Sequence, residues 1–77
     1  MQLPQDLTTC TLQQEQDIIR FLSGLTLDEL RLRQDLCRNQ LAKANKIKNL
    51  AQRERAIVNL QIMNDHLMQA VDIKYFM

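Results

Sequence analysis

KANKIKNLAQRERA, residues 43–56, decides the fold. It carries five of the chain's ten basic side chains and neither Gly nor Pro. The backbone either turns here or runs through as helix. Hydrophobic phase separates the two outcomes. Upstream, Leu27, Leu30, Gln34, Cys37, Leu41 and Ala44 follow a 3-4-3-4 spacing, one seam of a heptad repeat. Continued in that register, the seam meets Lys48 and Arg55 and fails. Downstream, Leu50, Ile57, Leu60, Asn64, Leu67 and Val71 form a second seam, offset by one residue or about 100° around a helix. Such a jump marks either a turn, with Asn45 and Asn49 as turn-tolerant residues, or a discontinuity in one long helix whose halves face different partners. High helix propensity throughout keeps the continuous rod open as the alternative. The phase jump favours an antiparallel hairpin.

Upstream of the hairpin, SGLTLDEL (residues 23–30) encodes a stop, a turn and a start together. Gly24 suits a left-handed helix end, Thr26 and Glu29 make a capping box, and Leu25 and Leu30 occupy the ends of a hydrophobic staple. Thr11 with Gln14 makes a weaker box before Leu12, Ile18, Ile19 and Phe21 or Leu22. These signals predict helices over 12–23, 27–44 and 48–74, the first covering the excess length of the third. Residues 11–77 then form one helical domain, and residues 1–10, with Pro4 and no helical period, an arm held by Leu3 and Leu7 if by anything. RFLSGLTLDELRL, residues 20–32, resembles the helix-corner-helix passage that leads into the dimerisation helix of MerR-type transcription regulators. The resemblance spans thirteen residues and implies corner geometry alone, with no DNA-binding residue carried over.

Seventy-seven residues is a size at which a single core is marginal and self-association is a common remedy. Apolar residues make up 45% of the chain but aromatics only 4%, a composition of Leu, Ile, Met and Ala that points to an all-α fold. A dimer or four-helix-type bundle is expected, through a seam of Leu27, Leu30, Cys37, Leu41, Leu50, Ile57, Leu60, Asn64, Leu67 and Val71. Asn64, mid-seam, is placed either to fix register as a buried amide or to face water.

Formal charge is +1, unevenly spread. Residues 1–30 hold Asp6, Glu15, Asp17, Asp28 and Glu29 against Arg20, a net −4, whereas residues 31–55 reach +6. Arg31, Arg38, Lys46, Lys48, Arg53 and Arg55 are candidate anion-binding residues along a helix or across a hairpin tip. No aromatic residue stands in this band to stack on bases. A solvated basic face, or one neutralised by the acidic first segment of a second copy, is the default expectation.

Catalytic chemistry finds little to work with. One His, one Ser and one Gly exclude a phosphate loop, and Asp65 beside His66 points about 100° away on a helix. His66 itself is expected at the surface or its boundary. Cys10 and Cys37, with no CxxC spacing, read as reduced thiols and not as a metal site. The expectation is a small non-enzymatic adaptor or regulatory protein, cytoplasmic, without cofactor or metal and without membrane contact. It would self-associate and engage protein partners through helical faces or the C-terminal Tyr75, Phe76 and Met77. A nucleic-acid-binding accessory protein is the alternative.

Overall fold

The computed structural model describes residues 6–76, the last of them by its backbone. Three helices form α1 (Leu12–Ser23), α2 (Leu27–Ala44) and α3 (Leu50–Phe76). The chain does turn between 45 and 49. α2 and α3 are the antiparallel arms of a hairpin: near the turn Cys37 Sγ meets the Leu60 carbonyl at 3.3 Å, and at the far end Arg31 donates to the Tyr75 hydroxyl at 3.3 Å. α1 packs on α3 as well, so the longest helix is the spine on which the other two lie.

Each boundary has a local cause. Thr11 Oγ1 accepts the Gln14 N–H while the Gln14 side chain accepts the Thr11 N–H, and Thr26 and Glu29 repeat the arrangement at α2. Each box satisfies two helix-end groups that would otherwise lack intrahelical partners. α2 ends as Lys46 N–H bonds the Lys43 carbonyl and Ile47 N–H the Ala44 carbonyl, two tight turns that unwind the helix. Asn49 Oδ1 then accepts the Gln52 N–H at 3.1 Å and starts α3. The third helix therefore begins two residues later than its spacing predicts, because Asn49 serves as its cap.

The corner at Gly24 differs from expectation in one respect. Its φ of −81° and ψ of −10° lie in the right-handed region, not the left-handed one. Gly24 N–H reaches the Phe21 carbonyl and Leu25 N–H the Leu22 carbonyl, so tightened turns close α1 without a positive φ. Leu25 still packs against the core beside Leu27, as a staple residue should.

Leu7, Ile18, Leu22, Leu30, Cys37, Leu67 and Ala70 make the core, drawn from the arm and all three helices. The apolar seams of α2 and α3 are thus directed into a single chain. Leu7 is only 3% exposed, which fixes the described end of the N-terminal arm to the bundle. Leu3 lies outside the described residues.

Candidate interaction surfaces

The seam residues divide by position. Leu30, Cys37 and Leu67 are in the core, Leu27, Leu60 and Val71 border it, and Leu41, Ile57 and Asn64 are half-buried. Leu50 remains 56% exposed, at the first position of α3. Asn64 Nδ2 lies 3.8 Å from Met68 Sδ one turn on, a weak local contact.

Large apolar side chains left exposed are Leu12 on α1, Leu32 and Leu36 on α2, and Leu50, Val58, Met68, Ile73 and Tyr75 on α3, and the α2 pair lies off the seam. Leu32 is 60% and Leu36 51% exposed, and they lie one turn apart on the same flank. Beside Leu36 runs a shallow groove of about 200 Å³, lined by Arg33, Cys37 and Gln40 of α2 and Met63 and Leu67 of α3. The Arg33 guanidinium stands 5.9 Å from the centre of the Phe21 ring, tying this flank to the end of α1. One heptad before Leu36 is Glu29 and one heptad after it is Lys43, both exposed. The pattern Glu29, Leu32, Leu36, Gln40, Lys43 is visible in the sequence as a second, shorter stripe. Its apolar part is only two residues long, so the longer seam hides it.

Four of the six candidate basic residues gather at the hairpin turn. Lys46 and Lys48 lie in the turn at residues 45–49, with Arg53 and Arg55 in the start of α3 and Lys43 at the end of α2. Arg31 sits at the opposite end of the hairpin, against Tyr75, and so does not belong with them. Arg38 makes the one ion pair among the described residues, an exposed 3.9 Å contact with Asp35. Such a pair contributes little. Asp6, exposed, is held below the usual carboxylate range first by its hydrogen bonds to Thr8, with the Arg55 charge a smaller influence.

His66 is buried, contrary to expectation, at 6% exposure, and neither ring nitrogen has a hydrogen-bond partner among the described residues. It shares a face of α3 with Asn59, Ile62 and Ala70, the face to which the arm is bonded at Asn59. In the sequence this second face of α3 shows only as Ile62 and Ala70, too short a stripe to mark it as covered. Cys37 and Cys10 are separate free thiols, the first buried and the second half-exposed. Burial pushes the Cys37 thiol above its ordinary value. Among the described residues no three His, Cys, Asp or Glu side chains converge as a metal site would require. Among them, too, no helix is long and apolar enough to cross a membrane. Of the C-terminal Tyr75, Phe76 and Met77, Tyr75 is exposed, and the Phe76 side chain and Met77 lie outside the described residues.

Compared with known protein families, with curated proteins and with solved structures, the chain matches none.

Proposed function

We propose that the protein is a small non-enzymatic interaction module that pairs with a second copy of itself through the exposed flank of α2. The observation that carries this reading is the exposure of Leu32 and Leu36 between charges of opposite sign at Glu29 and Lys43. Antiparallel pairing with Leu36 on a two-fold axis is self-complementary. Glu29 of each copy comes level with Lys43 of the other, since both lie seven residues from the axis, and Leu32 comes level with Gln40 at the groove. Isologous contacts of this kind close on themselves and stop at a dimer. Removing two large leucines from water supplies the drive, about 1.5–3 kcal/mol for each one fully covered. The charges set direction, because parallel pairing would place Glu29 on Glu29 and Lys43 on Lys43.

Absolute mass in solution, measured by light scattering behind a sizing column, tests the reading. A dimer that persists at high salt is expected, with Leu36→Glu reverting to a monomer of unchanged helical content. A wild-type monomer across the accessible concentration range sinks it.

A further inference from the structure

We infer that the hairpin tip is a binding surface for the phosphate backbone of a nucleic acid. Between residues 43 and 55 the chain places Lys43, Lys46, Lys48, Arg53 and Arg55 against a single carboxylate, Glu54. All but Arg53 are exposed, and no ion pair among the described residues engages any of the five. Arg55 has the exposed Asp6 carboxylate near it, but no such neighbour is seen for the other four, and like charges this close along the chain repel one another, a cost that a polyanion relieves.

The turn holds its cations in place. Two hydrogen bonds tie Lys46 and Ile47 back to α2, Asn49 caps α3, and the half-buried Ile47 anchors the middle of the loop between Lys46 and Lys48. A loop ordered beforehand loses less entropy on binding. The first turn of α3 contains no acidic residue, so its dipole adds positive potential where α1 and α2 offset theirs with Glu15, Asp28 and Glu29. Exposed Asn45 and Gln52 add amide donors, a residue type common in contacts to phosphate and sugar. A lipid surface is the less suited polyanion. Interfacial binding draws on a face of large apolar and aromatic side chains, and the tip exposes only Leu50 in that role. With no aromatic residue in the band, recognition rests on phosphate charge and not on stacked bases.

Fluorescence anisotropy with a labelled mixed-sequence DNA duplex tests this, using the full chain across a salt series. Binding at low salt is expected, falling about a hundredfold for a fourfold rise in salt if about four phosphates are neutralised. Lys46→Glu and Arg31→Glu change net charge equally, so they separate the tip from general electrostatics. Loss of about tenfold with Lys46→Glu, against less than about threefold with Arg31→Glu, supports the surface. Absence of binding at low salt overturns it, as does equal loss in the two variants. Displacement of the duplex by anionic phosphatidylserine vesicles, when neutral vesicles do nothing, would assign the tip to membranes and overturn it too.

Discussion

The backbone N–H of Leu7 donates to Asn59 Oδ1 at 2.6 Å, across fifty-two residues of sequence. Leu7 is also in the core, so the short arm before α1 is part of the folded unit. Leu7→Ala is expected to cost about 2–3 kcal/mol through lost burial and the cavity left behind. Asn59→Ala should cost less, about 1–2 kcal/mol, by leaving a part-buried donor unpaired. Urea unfolding followed by circular dichroism gives both values. If Leu7→Ala unfolds like the wild type, the arm is not structural.

Gly24 closes α1 with right-handed angles, and a Cβ built there meets its nearest neighbour, the Phe21 carbonyl oxygen, at 3.4 Å. No conformational need for glycine exists at this position. Gly24→Ala should therefore leave stability unchanged or raise it by up to about 1 kcal/mol, by narrowing the unfolded ensemble. A loss above about 1 kcal/mol would show that the corner uses a left-handed conformation, for which alanine is unsuited. The urea midpoint decides between them.

Much of this fold is legible in the sequence because its determinants are local. Thr11 with Gln14 and Thr26 with Glu29 form their boxes within four residues, and the phase jump after Ala44 locates the turn that Asn49 ends. What escaped local reasoning depends on distant parts of the chain. His66 is buried because a second face of α3 is covered, and of that face the sequence offers only Ile62 and Ala70, one turn either side of it. Arg31 leaves the basic group because the hairpin carries it to the far end, beside Tyr75. Leu32 and Leu36 count as ordinary apolar residues until the seam beside them is seen to be occupied from within.

His66 presents the clearest unfavourable contact in the core. Both ring nitrogens are buried without partners among the described residues, and such groups lose hydration with no compensating bond. His66→Leu, close in volume, is expected to stabilise the fold by about 1–2 kcal/mol, whereas His66→Ala opens a cavity and should not. A lower urea midpoint for His66→Leu would mean that the imidazole has a partner in solution.

The two thiols should separate by reactivity. Cys37 is buried, its Sγ donates to the Leu60 carbonyl, and desolvation raises its thiol above the ordinary value, so little thiolate forms and little reagent reaches it. Under native conditions alkylation should label Cys10 first, with Cys37 joining at a comparable rate only in denaturant. Mass spectrometry of digests reads the order. The same shift has a stability consequence of definite sign. The folded chain holds the Cys37 proton more tightly than the unfolded chain does, so this contribution is intact below an ordinary thiol pKa of about 8.5 and is lost as pH rises through the folded value.

The proposed α2 pairing makes its strictest prediction through charge exchange. Glu29→Lys or Lys43→Glu alone sets like charges against each other at both ends of the two-fold contact and should weaken the dimer. The double variant Glu29→Lys with Lys43→Glu restores opposite charges and should recover it. Glu29 has a second role, however: its carboxylate accepts the Thr26 N–H in the capping box of α2. Loss of that box lowers helix stability by about 0.5–2 kcal/mol in both variants that carry lysine at position 29, whatever happens between copies. The two roles separate by observable, since thermal melting at low protein concentration reports the cap and solution mass reports the pairing. Recovery of dimer mass in the double variant, without recovery of the melting temperature, is the expected pattern. If mass stays low in the double variant while both single variants remain folded, Glu29 and Lys43 do not face one another and the two-fold at Leu36 is wrong.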